Sequence, residues 1–315
     1  MTQVKEESES GGSEPLLSII MNCYNGEKFV GDAIDSILAQ TYENWELIFW
    51  DNQSTDGSAD VVKSYDDERI RYFCSDKHTI LYEARGYAYA KTKGELIAFL
   101  DVDDQWYPEK LEKQIGLFED EEIGMVCANF HKWDTANDKK WLAFDEALPE
   151  GNALDDLLDK YSVGILTLVL RRKAFDSLKV QFDSRFHIIG DFDLVIRMAS
   201  RWKVGAVQSP VACYRIHQEN ETGKNFHLTV RETLEWYREY EKDEIIGASK
   251  SLRKVKRRIT YVKAIALISD NQKISALRCL GTMSFVDSIK TIIQVIIPLG
   301  IIRFFRWGKT VQNES

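Results

Sequence analysis

The chain has 315 residues, 44% of them hydrophobic and 29% charged, and a formal net charge of −9. This is long enough for one large domain or two modest ones with an ample core, and the composition is that of an ordinary soluble globular protein. Five scattered cysteines (Cys23, Cys74, Cys127, Cys213 and Cys279) include no CxxC pair, which excludes a disulfide framework or a cysteine zinc site and points to a reducing compartment.

Residues 1–15 are polar and acidic and lack an apolar stretch, as expected of a disordered leader and not of a signal peptide. Leu16 to Met21 is a short Ile-rich run between Pro15 and the Asn22–Gly26 turn, the pattern of a buried strand. Phe29, Ala33, Ile34, Ile37 and Leu38 follow at helical spacing. Trp45 to Trp50 predicts a second strand, and Ser58 to Tyr65 a helix that Ser54, Thr55 or Asp56 can cap. Ile70 to Cys74, a helix over Leu81 to Lys91, a strand over Glu95 to Leu100 and a helix from Pro108 to Glu119 complete the series. Alternating strands and helices across 16–120 specify a parallel sheet with helices on both faces, an α/β fold.

Beyond this the pattern loosens. Met125 to Phe130 and Gly164 to Leu170 predict strands, and Asp191 to Arg201 a helix. From Leu228 onward the sequence predicts helices over 228–244, 251–268 and 272–286. Trp106, Trp133 and Trp141 offer flat faces for a sugar, with at least two of them expected in the core.

Residues Lys250 to Lys309 hold 13 Lys and Arg against only Asp270 and Asp287, so an acidic body carries a basic tail. Within it, Ile292 to Ile302 is apolar, broken by Pro298 and Gly300, and followed by Arg303, Arg306 and Trp307. A spanning helix needs roughly 20 apolar residues, so residues 288–315 suit an element lying in the headgroup region of a membrane. Basic residues on an apolar helical tail do not suit nucleic acid.

The polar residues that carry chemistry follow strand ends: Asn22, Tyr24 and Asn25 after the first, Asp51 and Asn52 after the second, and Asp101, Asp103 and Asp104 after the fourth. In parallel sheets such ends converge on the ligand crevice. Three carboxylates in four residues repel one another unless a cation joins them, and Mg²⁺ or Mn²⁺ takes one or two carboxylates plus phosphate oxygens. No Gly-rich phosphate loop follows the first strand, where NCYNGEKF has a single glycine. This disfavours a sugar nucleotidyltransferase or a dinucleotide-binding oxidoreductase.

The stretches SIIMNCYNGEKFVGDAIDSILAQTYENWELIFWDNQSTDGS and ARGYAYAKTKGELIAFLDVDD resemble glycosyltransferase family 2. The resemblance implies an inverting enzyme of the GT-A fold (Rossmann-like, with a mostly parallel sheet flanked by helices) over 16–220, with a nucleotide half at 16–120 and an acceptor half at 121–220. A helical extension over 221–287 and the tail would follow. It implies a nucleotide-diphospho-sugar donor (UDP- or dTDP-linked favoured), Mn²⁺ or Mg²⁺, and a glycan or lipid-linked acceptor, in bacterial surface polysaccharide synthesis at the cytoplasmic face of the membrane. Asn22, Tyr24, Asn25, Glu27, Asp51, Asn52, Arg85, Asp101 and Asp103 fall on its nucleotide-sugar-binding positions, with Tyr24 stacking on the base. Asp103, Asp101, Asp104 and His217 are the metal candidates, and Arg215 in the Y-R-x-H segment is a phosphate partner. Asp191 is the implied catalytic base, with Asp193 as competitor. The sequence departs from the family's pattern at Asn52 (usually Asp), Gly86 (usually Asn) and Gly190 (usually Glu), which leaves a catalytically inactive scaffold as the alternative.

Overall fold

The structure is a computed structural model, and it describes residues 14–217, 225–270, 272–282 and 288. The leader up to residue 13 and nearly all of the 288–315 tail lie outside the described residues. Strands β1 (Leu17–Cys23), β2 (Trp45–Asp51), β3 (Ile70–Cys74) and β4 (Leu96–Phe99) alternate with helices α1 (Glu27–Leu38), α2 (Ser58–Lys63) and α3 (Leu81–Tyr89). Next come β5 (Gln105–Trp106), α4 (Lys110–Ile115), β6 (Ile123–Asp134), β7 (Lys139–Leu142), α5 (Leu154–Asp159), β8 (Val169–Arg171) and α6 (Arg172–Asp176). The series ends with α7 (Gly190–Ala199), β9 (Lys203–Ile216), α8 (Phe226–Tyr240), α9 (Leu252–Ser269) and α10 (Lys273–Leu277).

One sheet runs β3-β2-β1-β4-β8-β6-β9-β5, with β7 added beside β6. β1 to β4 are mutually parallel, and the remainder is mixed. The chain steps outward from β1 to β3 and then returns to the other side of β1 as β4. That reversal is the topological switch point at which α/β sheets bind ligands.

The apolar runs explain the layering. Every residue of β1 and β2 is buried, because both faces of the sheet are covered. On β1, Leu17, Ile19, Met21 and Cys23 join the core that includes Val30, Ala33, Ile34 and Ile37 of α1, whereas Ile20 joins the core with Ala84 and Ala88 of α3 and Leu194 to Ile196 of α7. Trp236 of α8 and Leu252, Val255 and Ile259 of α9 belong to this second core, so the helices after β9 pack on α7.

Several expectations need correction. Gly164 to Leu170 is not a strand: a 3-10 turn over Ile165–Thr167 precedes the short β8. The helix expected over 272–286 is confined to Lys273–Leu277, followed by a 3-10 turn at Leu280–Thr282. β9, 14 residues long, was not anticipated: Pro210 and the polar Gln208–Ser209 interrupt its apolar pattern, and its pairing with β6 shifts register near Pro210. Of the three tryptophans only Trp106 is core, its indole N–H donating to the Leu166 carbonyl at 2.7 Å, while Trp133 is half-buried and Trp141 is 40% exposed. Among the described residues no helix is long and apolar enough to cross a membrane.

Candidate active site

The loops after β1 and β2 are stitched together by short polar side chains. Asn25 has φ 55°, a left-handed conformation that asparagine tolerates. Its Oδ1 accepts the Thr55 N–H at 2.7 Å, and its own N–H donates to Ser54 Oγ at 3.0 Å. Glu27 accepts the Gly57 N–H at 2.9 Å and donates its N–H to Asp56 at 3.0 Å. None of the three capping candidates takes the N-cap position, which belongs to Gly57; Asp56, just before it, accepts the N–H of Ser58 at 3.1 Å. The structure therefore places Asn25 and Glu27 as ties between two loops, with these groups turned to the neighbouring turn.

Two side chains stand apart from these ties, one at the end of β1 and one in the loop after it. Asn22 is buried at the end of β1, and neither its amide oxygen nor its amide nitrogen has a hydrogen-bond partner. Such a group is costly to bury unless something else completes it. Tyr24 is 53% exposed, its ring centroid 4.3 Å from that of His78.

Asp51 and Asn52 are both buried and committed. Asp51 accepts the Ser54 N–H at 2.7 Å and the Tyr72 hydroxyl at 2.6 Å. Asn52 Oδ1 accepts the N–H and the hydroxyl of Thr79, each at 3.2 Å, and its Nδ2 donates to the Thr79 carbonyl at 2.7 Å. Only an amide can give and take at once in this way; a carboxylate lacks the donor. The departure from the family's paired aspartates thus has a local cause. The same bracket holds His78, whose Nδ1 lies 3.0 Å from the Asn52 carbonyl, beside Tyr24.

The loop after β4 sits opposite. Arg85 on α3 is 2% exposed and donates to Asp101 at 2.8 Å. Asp103 Oδ2 lies 2.9 Å from Nε2 of His217, just past the end of β9. Burial, with the charge of Asp101, raises the Asp103 carboxyl above the usual range, and His217 works the other way. Asp104 is buried, accepts the Arg215 N–H at 3.0 Å, and is raised further by burial and by Asp103. It anchors β9 to this loop. Arg215 donates to the Asp103 carbonyl at 3.0 Å and to Asp32 at 2.8 Å, which ties it to α1.

Asp191 lies in the first turn of α7, accepting its neighbour Phe192's N–H at 2.7 Å; the N-cap position belongs to Ile189. Burial raises its carboxyl, Arg85 lowers it and Asp101 raises it, so it lies within reach of the charges of both. Asp193, its competitor, is fully buried, pairs with Arg197 at 2.6 Å and accepts the Trp236 indole N–H at 3.1 Å. The segment before Asp191 is held from α8: Glu232 accepts the N–H groups of His187, Ile188 and Ile189 at 2.9, 2.8 and 3.2 Å.

The residue spacing missed four participants: His78, Tyr82, Glu232 and Trp236. Each acts through contacts 26 or more residues away in sequence, and no local pattern signals them. Among the described residues no three His, Cys, Asp or Glu side chains form a closed metal cage.

Comparison with known proteins places the chain in a family. The family described as "Glycosyl transferase family 2" matches residues 18–189. TuaG of Bacillus subtilis, whose assignment as a teichuronic acid biosynthesis glycosyltransferase is itself provisional, is 32% identical over 53% of this chain and 66% of its own length. WfgD of Escherichia coli, a UDP-Glc:alpha-D-GlcNAc-diphosphoundecaprenol beta-1,3-glucosyltransferase, is 30% identical over 67% of this chain and 81% of its own. Residues 1–349 of S. aureus TarS, crystallised with UDP, superpose with a TM-score of 0.64 at 14% identity, over 87% of this chain and 80% of that one, a likeness of fold. The family match covers more than half of the chain, and the fold is the GT-A architecture that the strand-end motifs imply: the chain belongs to glycosyltransferase family 2.

Proposed function

We propose that the chain transfers a sugar, with inversion, from a UDP- or dTDP-linked donor to a hydroxyl of a glycan or lipid-linked acceptor in surface polysaccharide synthesis. The observation that carries this reading is the buried, unpartnered Asn22 amide at the β1–β4 switch point, on the strand beside the one that leads to Asp101 and Asp103; Asp191 is near enough to Arg85 and Asp101 to feel their charges. The printed activity of WfgD and the UDP bound to TarS support a uridine donor.

In this reading Tyr24 covers the nucleobase with His78 at its edge, and Asn22 completes its hydrogen bonds on the nucleotide. Asp51 and Asn52 shape the base pocket from behind. Asp103 and His217 would hold Mn²⁺ or Mg²⁺, with Asp101 adding charge; a carboxylate and an imidazole with room for phosphate oxygens suit such an ion. A cation bound there supplies charge neutralisation for the departing diphosphate. Asp191 takes the proton from the acceptor hydroxyl as its oxygen attacks C1 opposite the leaving group, and a carboxyl raised by burial is a stronger base than an ordinary one. Residues 16–120 serve the donor and 121–220 the acceptor, while the helical extension over 221–287 and the basic 288–315 tail bring the enzyme to the cytoplasmic face of the membrane.

The test is thermal denaturation with UDP, dTDP and GDP, each with and without Mn²⁺, together with sugar release from the matching donors. A nucleotide at one hundred times its Kd adds roughly 2.7 kcal/mol, several degrees in midpoint. If no nucleotide moves the midpoint and no donor loses its sugar, the reading is wrong.

A further inference from the structure

A groove of about 370 Å³ opens beside Asp191 between α7, α8 and α9. Tyr161, Ile188, Phe192, Val230, Val255 and Ile259 wall it, and the only charged residues in its lining are Asp191 and Arg258. We propose that this groove holds the hydrocarbon chain of a lipid diphosphate acceptor, an inference that rests on the glycosyl-transfer reading above.

Position is the first argument. Asp191 borders the groove, so a molecule lying in the groove has one end at the proposed base. The second is the lack of polar groups. Thr229 and Thr233 are the groove's aliphatic hydroxyls, and both donate to carbonyls within α8's own chain, those of Asn225 and Thr229. A purely polar oligosaccharide would find few partners there. The Tyr161 hydroxyl is the exception, buried without a partner and close enough to Asp191 to feel its charge, and it suits the sugar at the Asp191 end of the acceptor.

Charge is the third argument. α9 carries Arg253, Lys254, Lys256, Arg257, Arg258 and Lys263 and no acidic residue. A diphosphate between sugar and hydrocarbon complements that helix. The chain's own apolar stretch at 292–302 is flanked by Lys290, Arg303 and Arg306, and would bring like charge to it.

The experiment measures transfer, with the full chain and below micelle concentrations, to one sugar diphosphate carrying a methyl, an octyl or a farnesyl chain. The expected result is a KM that falls at least about tenfold from methyl to farnesyl, and loss of that gradient in Thr233→Trp and Val262→Lys, with UDP-induced thermal shifts reporting an intact fold. A KM independent of chain length, or a gradient that survives both substitutions, overturns the proposal. A wild type that turns over no donor sinks the transfer reading instead. A benzophenone amino acid at position 262 separates the occupants: photocapture of the farnesyl acceptor supports the proposal, whereas crosslinks to residues 289–307 or to a second copy of the chain assign the groove elsewhere.

Discussion

The ring of Tyr82 fills the space that a side chain at Gly190 would need: a Cβ there would lie 2.5 Å from two of the ring's carbons. Where the family usually carries Glu, this chain sets a buried aromatic wall next to Asp191. With one neighbouring carboxylate fewer, Asp191 ionises more readily than it would beside Glu. The two residues should therefore be coupled. Gly190→Ala alone is expected to lose about 1–3 kcal/mol through overpacking, but little in a Tyr82→Ala background. Urea denaturation of the four proteins measures the coupling, expected at roughly 1–3 kcal/mol. Strictly additive effects would mean that ring and glycine do not share one space.

Asp191 and Asp193 should separate by what their loss damages. Asp191→Asn is expected to lower kcat by about 10²–10⁴-fold with donor affinity near normal, since a general base acts on the acceptor proton. Asp193→Asn leaves Arg197 without its charge partner, and breaking such a buried pair costs about 3–5 kcal/mol. Steady-state kinetics and thermal midpoints of the two variants check this. Wild-type turnover in Asp191→Asn removes it from the mechanism.

Much of this was legible because it is local. β1 and β2 are largely apolar runs buried throughout, and the three carboxylates that follow β4 fall within four consecutive residues. What escaped the sequence is held by distant partners. His217 is a metal candidate only through its resemblance to the family's Y-R-x-H segment; β9, hidden by Pro210, is what carries it 114 residues back to Asp103. Asn52 and Gly190 read as departures from a pattern, and their causes, Thr79 and Tyr82, lie on other segments. At least two of Trp106, Trp133 and Trp141 were expected inside and only Trp106 is, because β7 is a peripheral strand pairing only with β6 and Trp141 stays exposed.

The raised carboxyl of Asp191 fixes the sign of two pH effects. The base works ionised, so kcat falls as pH drops through its pKa, and burial moves that acid limb above the ordinary aspartate value of about 3.9. For stability, the folded chain binds this proton more tightly than the unfolded chain does. Its ionisation is therefore destabilising, with no effect below the ordinary carboxylate range and the full effect above the raised pKa. Asp191→Asn should accordingly gain stability relative to wild type near neutral pH and lose that advantage in acid. Midpoints across pH and a kcat profile at saturating donor measure both.

Asn52→Asp would restore the family's residue and should still weaken the protein. It removes the donor to the Thr79 carbonyl and sets a negative charge against that oxygen. An unsatisfied buried group costs about 1–3 kcal/mol. The same amide nitrogen lies 3.4 Å from His78 Nδ1, and the Thr79 segment it holds carries His78. His78 should therefore shift beside Tyr24 even though the backbone carbonyl of residue 52 remains, and the donor KM should rise more than kcat falls. An unchanged midpoint and KM would show that the amide's two-way bonding is dispensable.

Asp103, Asp104 and His217 differ in what they offer a cation, and Mn²⁺ titration monitored by thermal shift in the presence of UDP should tell them apart. Asp103 and His217 face each other at 2.9 Å and are only partly covered, so Asp103→Asn and His217→Gln should abolish the Mn²⁺-dependent shift. Asp104 instead spends an oxygen on the Arg215 N–H in a buried position. Asp104→Asn should lower the midpoint, because the loop loses its hold on β9, and yet keep the increment that Mn²⁺ adds. If Asp104→Asn loses the increment while His217→Gln keeps it, the assignment of the ion to Asp103 and His217 is wrong, and the carboxylate now placed as an anchor would be the ligand.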